Sequence, residues 1–213
     1  MPWADAAPAL LEAWYPGEED GNAVAAVLFG EVNPSGKLPI TFPKRVEDTF
    51  AANRQQYPGI HRVVKYTEGI YVGYRYYDEK KIEPLFPFGF GLSYTKFVFH
   101  DLRVSQPSAA HIVQVEFDVA NSGAVAGAEV AQVYVAMPSS AAVPQPPKQL
   151  KAFQKVKIEP GNSAHIRLTL SKRAFQYWDV AAHGWKTAPG TYGVMVGSSS
   201  RDLALKAQIQ IAQ

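Results

Sequence analysis

The residues of this chain that could do hydrolytic chemistry are its carboxylates. Two carboxyl groups about 5–5.5 Å apart can cleave a glycosidic bond, one acting as nucleophile and the other as acid and base. The densest acidic cluster is Glu18-Glu19-Asp20, and a second candidate pair is Glu68 with Asp78. Adjacent acids rarely converge on a substrate from opposite faces, so the first cluster is interpreted as the acidic start of a helix. Arg75 lies between Glu68 and Asp78, which favours ion pairing within the fold over catalysis.

Aromatic side chains form two groups that could stack on sugar rings. Trp178 and Trp185 bracket one short segment, and several tyrosines crowd another. An aromatic ring matches the apolar face of a pyranose, but dense tyrosines also join neighbouring domains, and tryptophans at the edge of a fold usually cover its core. Packing is therefore the preferred interpretation of both groups, and carbohydrate binding is the alternative. The tyrosines are Tyr66, Tyr71, Tyr74, Tyr76 and Tyr77.

Other kinds of site find little support in the sequence. The histidines are scattered, without His-x-x-x-His spacing, and there is no Cys, so neither a metal centre nor a thiolate nucleophile is predicted. Gly89-Phe90-Gly91 precedes a strand pattern and not a helix, which argues against a dinucleotide-binding loop. We therefore assign no catalytic, substrate-binding or metal-binding residue and predict no cofactor. The histidines are His61, His100, His111, His165 and His183.

Composition limits the classes of partner. The 213 residues carry a net charge of +2 without a concentrated basic run, so nucleic acid is not expected to bind. Apolar stretches stay well short of the roughly 20 residues of a membrane span, and no membrane contact is expected. With 47% hydrophobic and 19% charged residues, the chain has the composition of a folded globular protein.

The elements that must position these residues differ between the two parts of the chain. Up to about residue 90 only one helix is predicted, over residues 23–29, with Asn22 as its cap and Gly30 as its stop. This helix is apolar on most sides and needs cover on most sides. The first part therefore reads as a piece that begins inside a domain. It is expected to expose apolar surface that binds upstream domains or a second copy of the chain.

From about residue 94 the hydrophobic period becomes two, which indicates strands with one buried face. Seven short strands separated by turn signals predict an antiparallel sandwich of the immunoglobulin or fibronectin type III kind, and the lack of Cys favours the latter. The strands are predicted at residues 97–104, 113–119, 130–135, 150–158, 166–170, 192–196 and 203–211. The predicted core consists of Phe97, Leu102, Val113, Val115, Phe117, Val133, Val135, Phe153, Ile166, Leu168, Tyr192, Val194, Leu205 and Ile209.

Four motifs, in order along the chain, resemble glycoside hydrolase family 3. They are Asn-Pro-Ser-Gly-Lys-Leu-Pro at 33–39, Tyr-Thr-Glu-Gly-Ile-Tyr-Val-Gly-Tyr-Arg-Tyr-Tyr-Asp at 66–78, Pro-Phe-Gly-Phe-Gly-Leu-Ser-Tyr-Thr at 87–95, and the stretch from Gly127 to Ser199 that contains Pro-Gly-Thr-Tyr at 189–192. The resemblance implies a C-terminal remnant of an α/β sandwich domain at 1–65, a linker segment at 66–91, and a fibronectin type III-like domain at 92–213. The fold class is therefore mainly β, with the sandwich preceded by an incomplete α/β segment.

The resemblance also implies a role for the chain. Family members use an Asp nucleophile on an N-terminal barrel and a Glu acid/base from the α/β sandwich, and both lie upstream of the matched region. The chain is thus expected to be a non-catalytic C-terminal portion of a retaining β-glucosidase or β-xylosidase-like enzyme, a fragment or a truncated reading frame, with the upstream catalytic domains as partners. Two alternatives stay open: a carbohydrate-binding β-sandwich, and a small hydrolase that uses Glu68 and Asp78.

Overall fold

The structure of the chain is a computed structural model that describes residues 1, 3–108 and 112–212. Within these ranges two α-helices and nine β-strands are joined by loops and short 3₁₀ turns, and neither helix has the length and apolar character needed to cross a membrane. The helices are α1 (Asp20–Leu28) and α2 (Tyr74–Glu79). The strands are β1 (Phe97–Val104), β2 (Val113–Asn121), β3 (Gly127–Ala136), β4 (Gln149–Ile158), β5 (Ser163–Leu170), β6 (Gln176–Asp179), β7 (Gly184–Thr187), β8 (Gly190–Gly197) and β9 (Leu205–Ile211). The 3₁₀ turns are Ala4–Ala6, Gly17–Glu19, Val46–Asp48, Phe50–Ala52 and Lys172–Phe175.

Seven strands form two antiparallel sheets that pack face to face. Their orders are β1-β2-β5 and β4-β3-β8-β9. β2 shows why the sheets pack face to face. Val113, Val115, Phe117 and Val119 are fully buried, while the residues between them are only half-buried. Side chains alternate between the faces of a strand, so one face of β2 lies in the core and the other lies towards solvent. The predicted mainly-β fold with a fibronectin type III-like sandwich is confirmed.

The core lies between the two sheets and is centred on aromatic rings. Phe175 and Tyr192 meet edge to face with their centroids 5.6 Å apart, and Phe99 stacks on Phe117 at 6.3 Å. Burial raises the pKa of Tyr192 to about 12, and its hydroxyl lies within hydrogen-bonding distance of the carbonyl oxygens of Phe175 and Ala188. The buried cluster consists of Val113, Val115, Phe117, Val119, Ala131, Val133, Val135, Ile158, Ile166, Leu170, Ala174, Phe175, Tyr192, Val194, Val196, Ile209 and Ile211.

Two details of the sandwich differ from the sequence prediction. The prediction that Phe153 lies in the core is wrong: its side chain is 66% exposed, because Ala152 and Val156 of β4 pack against the core and Phe153, one residue out of phase with both, lies on the outer face. The strands β6 and β7 form a separate hairpin that the alternation did not reveal, since each has only four residues. Of the other predicted core residues, Phe97, Leu102, Leu168 and Leu205 are half-buried against the edge of the core.

β1 contains an irregularity that alters which side chains share a face. His100 pairs with Asp118 of β2, but the next pair is Arg103 with Glu116, so two residues of β1 oppose one residue of β2. Asp101 lies at this point with φ of 57°, in the left-handed region. The arrangement is a β-bulge, a feature that re-aims side chains at the edge of a sheet.

The segment before β1 is less buried than the sandwich. Gly30 has φ of 78° and ends α1 as predicted. The predicted cap Asn22 is wrong: α1 begins at Asp20, and Asn22 lies inside it and donates to Glu19. No residue of α1 is buried, and Phe29 and Tyr15 nearby are 83% and 99% exposed.

Phe117→Ala should lower the free energy of unfolding by about 3–5 kcal/mol, because it removes a fully buried ring and leaves a cavity between the sheets. Phe153→Ala removes the same ring from an exposed site and should change stability by less than about 0.5 kcal/mol. Urea melts of the full chain, followed by tryptophan fluorescence and by circular dichroism, measure both. Equal costs for the two substitutions would show that the core is assigned wrongly.

Candidate functional site

The structure gives both candidate catalytic carboxylates a structural partner. The Asp78 side chain, on α2, is only 4% exposed. One of its oxygens pairs with Lys148, and the other lies 3.2 Å from Nη1 of Arg201. Glu68 accepts a hydrogen bond from Gln56 at 2.9 Å. A carboxylate enclosed between two cations is poorly placed to attack a substrate, so the geometry does not favour a hydrolase built on Glu68 and Asp78.

Asp78 pairs within the fold, as predicted, but its partner is not Arg75. Lys148 directly precedes β4, and Arg201 lies in the loop between β8 and β9. Arg201 also donates to the carbonyl oxygens of Tyr77 in α2 at 3.4 Å and of Ile82 just after it at 2.8 Å, so it holds this part of the backbone as well as the Asp78 carboxylate. The expectation for Arg75 is therefore wrong, because the true partners come from parts of the chain that are distant in sequence.

A buried amide joins the residues before β1 to the sandwich. The Nε2 of Gln132, on β3, donates to the carbonyl oxygens of Gly89 at 3.2 Å and Ser198 at 2.5 Å. The hydroxyl of Tyr134 donates to Oε1 of the same amide at 2.6 Å, and burial raises the pKa of Tyr134 above its ordinary value. Gly89 has φ of 80°, and a Cβ there would collide with the Gln132 amide. This position therefore requires glycine.

Asn33 and Lys37 also bind the sandwich, although the sequence presents them only as parts of a turn. Asn33 donates from Nδ2 to the carbonyl oxygen of Ala126 at 2.9 Å and accepts the backbone N–H of Tyr94 at 2.8 Å. Lys37 forms an ion pair with Glu129 at 2.7 Å, and both side chains are largely buried. Their partners lie far along the chain, so no local pattern could have identified them. We refer to the contacts of Asn33, Lys37, Asp78 and Gln132 as the junction.

A cleft of about 710 Å³ lies beside the β6–β7 hairpin. Trp178 and Trp185 are paired across this hairpin, with ring centroids 5.3 Å apart, and each is more than 40% exposed. Asp179 closes the hairpin by accepting the N–H of Ala182 at 2.9 Å and pairing with Lys186 at 2.8 Å. The hydrogen bond from Lys186 is the main cause that lowers the pKa of Asp179. The hairpin thus presents two indole rings at the cleft.

Three cations line the same cleft: Arg75 from α2, Lys151 from β4 and Arg173 from the 3₁₀ turn before β6. In the described part of the chain, no carboxylate is among the residues that line it. The guanidinium of Arg173 lies over the Trp185 ring, and such stacking leaves its N–H edge free for an acceptor. Desolvation, followed by the charges of Arg75 and Arg173, lowers the pKa of Lys151 to about 8. The cleft therefore has the chemistry to bind an anion that also offers a surface for stacking.

The structure brings together two of the histidines that look scattered in the sequence. His100 and His165 each pair with Asp118, from opposite sides, across strands β1, β2 and β5. The sequence analysis missed this grouping, because it depends on strand register. His111 lies outside the described residues.

Two family models match the chain. The model described as "Glycosyl hydrolase family 3 C-terminal domain" matches residues 1–94. The model described as "Fibronectin type III-like domain" matches residues 129–200. The two matches follow the order of the segment and the sandwich.

Relatives and solved structures agree with these matches. The chain is 44% identical over 219 residues to the probable β-glucosidase K of Emericella nidulans and 45% identical over 213 residues to the thermostable β-glucosidase B of Acetivibrio thermocellus. These alignments cover 100% and 99% of this chain but 25% and 28% of the relatives, so the chain spans about a quarter of their length. The crystal structure of DesR, a β-glucosidase from Streptomyces venezuelae in complex with D-glucose, matches 99% of this chain and 27% of its own, with a TM-score of 0.93 and 40% identity. For β-glucosidase 3B from Thermotoga neapolitana the TM-score is 0.92, with 39% identity, over 100% of this chain and 29% of that one.

Asp78→Ala should destabilise the chain by about 3–5 kcal/mol, because it leaves the buried ammonium of Lys148 without its carboxylate. Glu79→Ala is the matched control, since Glu79 is exposed and, among the described residues, forms no ion pair; it should cost less than about 0.5 kcal/mol. The double variant Asp78→Ala/Lys148→Met should recover part of the loss, since the uncompensated charge is gone. Urea melts decide the matter, and a cost for Asp78→Ala no larger than that for Glu79→Ala would contradict this role.

Proposed function

Because the chain belongs to glycoside hydrolase family 3, as the C-terminal region of such enzymes, we propose that it is the non-catalytic part of a β-glucosidase and that it supports the upstream catalytic domains. The parent enzyme would hydrolyse O-glycosyl bonds in carbohydrate metabolism. For this chain we propose a C-terminal remnant of the α/β sandwich domain at 1–65, a linker segment at 66–91 and a fibronectin type III-like domain at 92–213.

The observation that carries this proposal is that the segment before β1 contains two kinds of side chain, those that bind the sandwich and large apolar ones that are exposed. On one side the junction fixes the segment to the sandwich through buried ion pairs and hydrogen bonds. Elsewhere in the segment large apolar side chains lie open to solvent, and exposed apolar surface of this kind is typical of a contact that a partner covers. Those more than half exposed are Trp3, Tyr15, Leu28, Phe29, Val32, Ile40, Val46, Tyr57, Val63, Tyr66, Leu92 and Tyr94.

Support by this segment has a plain physical basis. Covering α1 and its neighbours with an upstream domain would remove apolar area from water, at roughly 25 cal/mol per Å². Because the junction holds the same segment on the sandwich, the docked domain would also be fixed relative to the sandwich. Catalytic groups carried by the upstream domain would gain stability and a constant orientation from this contact.

A chimaera tests the proposal. The C-terminal region of the Acetivibrio thermocellus β-glucosidase B is replaced by this chain, with which it aligns over 213 residues. The chimaera should hydrolyse an aryl β-glucoside. Neither β-glucosidase B truncated before its C-terminal region nor this chain alone should give turnover above the buffer rate. Phe29→Glu in the chimaera should reduce activity by placing a charge on the apolar contact. Phe153→Glu, a charge on an exposed ring of the sandwich, is the matched control. Full activity of the truncated relative, or equal effects of the two substitutions, would contradict the proposal.

A second candidate function is carbohydrate binding in the cleft. The specific observation in its favour is that the exposed rings of Trp178 and Trp185 line the same cleft as three cationic side chains. The exposed indoles offer a surface for a pyranose ring. Arg75, Lys151 and Arg173 would each attract a carboxylate, and guanidinium groups can bind one with two parallel hydrogen bonds. The carbohydrate that fits is therefore an acidic one, such as a uronic acid oligomer, and a neutral glucan would leave the cations without partners.

Calorimetric titration of the full chain with oligogalacturonate tests this second function. Binding should be lost or greatly weakened in Lys151→Met and in Trp178→Ala, and unchanged in Lys155→Met, a control four residues further along β4 that does not line the cleft. Because the pKa of Lys151 is about 8 in the free chain, affinity should be lower at about pH 9, where the amine is neutral, than at about pH 7. Equal binding of a neutral cello-oligosaccharide, or equal binding of polyglutamate, would contradict specific recognition of an acidic sugar.

A further inference from the structure

The outward face of the three-stranded sheet carries a row of three polar side chains with the chemistry of metal ligands. The register pairs His100 of β1 with Asp118 of β2, and Asp118 with His165 of β5. Side chains of directly opposed residues lie on the same face of a sheet, about 4.5–5.5 Å apart at their Cβ atoms. Two imidazoles therefore flank one carboxylate on the face that points away from the core.

The distances within this row are short. Nδ1 of His165 lies 2.7 Å from Oδ1 of Asp118, and Nδ1 of His100 lies 2.7 Å from Oδ2 of Asp101. One ligand atom each from His100, Asp101 and Asp118 can be chosen so that all three lie within 4.8 Å of one another. His100, Asp101 and Asp118 thus surround one small volume, and His165 adjoins it through its contact with Asp118.

The β-bulge explains how Asp101 joins the group. In a regular strand the neighbours His100 and Asp101 would point to opposite faces, and Asp101 would enter the core. The bulge inserts an extra residue after His100, and the backbone of Asp101 takes a φ of 57°, in the left-handed region that Asp adopts more readily than most residues. The irregularity places a second carboxylate beside the imidazole of His100, and Leu102 returns to the edge of the core.

We propose that His100, Asp101, Asp118 and His165 form a binding site for one divalent transition-metal ion of the zinc type. Two imidazole nitrogens with carboxylate oxygens suit Zn²⁺, Ni²⁺ or Cu²⁺, whereas Mg²⁺ and Ca²⁺ prefer all-oxygen sites. The two carboxylates also balance the charge of the ion. The site is independent of the support role, since it lies on the sheet that does not contain β3 or β4 of the junction.

The ligands can reach metal-binding distances without a change of fold. Ligand atoms about 2.0–2.2 Å from a tetrahedral ion lie about 3.3–3.6 Å from one another, so the 4.8 Å group must contract by little more than 1 Å. All four side chains are at least partly exposed, and rotations about their χ angles are not blocked by the core. Binding would exchange the hydrogen bonds between imidazole and carboxylate for bonds to the metal.

The next row of paired residues on the same sheet suggests a competing explanation, namely that the histidine row serves only for ion pairing across strands. There Arg103, Glu116 and Arg167 occupy the equivalent positions, and Nε of Arg167 lies 2.7 Å from Glu116. Arginine stays charged and binds no metal, so that row serves only for ion pairing across strands. If the histidine row had the same role, it would bind no metal ion, and a titration separates the two.

The test is a calorimetric titration of the full chain with ZnCl₂, with CoCl₂ as a spectroscopic probe of coordination geometry. We expect one Zn²⁺ per chain and a rise in melting temperature with Zn²⁺ concentration, because the ion would join three strands of the folded state. His165→Ala and Asp118→Asn should each weaken binding by about tenfold or more. His183→Asn is the matched control, since it removes an imidazole from a loop where φ is 46° and asparagine tolerates that conformation.

Two results would overturn the proposal. One is the absence of saturable Zn²⁺ binding at concentrations up to about 1 mM, which corresponds to a free energy no better than about −4 kcal/mol. The other is one-site Zn²⁺ binding that persists in the double variant His100→Ala/His165→Ala, which would assign the ion to other residues. Circular dichroism confirms that each variant is folded, which is expected because all four side chains lie outside the core.

Discussion

The Asp78 side chain lies between Lys148 and Arg201 in a site that water barely reaches, and the relation between the two parts of the chain depends on it. Removing a charge from water is costly, and the cost is offset only while the opposite charge stays in contact. The carboxylate comes from the segment before β1, whereas both cations belong to the sandwich. Neither part can therefore separate without leaving a charge unpaired in a poorly solvated place. Two regions that match separate family models thus behave as one energetic unit at this point.

The same constraint explains which surface of the segment is left uncovered. With α2 held by Asp78 and the residues around Gly89 held by Gln132, one side of the segment is committed to the sandwich. The apolar side chains of α1 cannot turn inward, because the sandwich already fills its own core. We propose an upstream domain as the cover for these side chains, since the relatives extend well beyond the region matched here.

The buried faces of strands could be predicted from the sequence where the alternation of apolar and polar residues alone decides them. The alternation of β2 predicted its buried face, because both sides of that strand are paired and one whole face meets the opposite sheet. Phe153 was assigned to the wrong face of β4, because Ala152 and Val156 pack against the core and Phe153 is one residue out of phase with them. The partners of Asp78, the roles of Asn33 and Lys37, and the histidine row depend on strand register between distant residues. No periodicity or spacing within one segment carries that information, and the boundaries at 65 and 91 remain a prediction for a related reason, since the junction crosses them.

Support and surface chemistry can coexist in this sandwich because they use different side chains. β5 shows the separation: Ile166 and Leu170 face the core, while His165 belongs to the outer histidine row. An outward residue of a strand can change without altering the packing of the inward residues, so long as the backbone register is kept. The free energy that holds the fold comes from the inward faces and the junction. The histidine row lies outside both, so changes there should alter the stability of the scaffold little, whereas the cleft is lined in part by Leu170 and Ala174 of the core.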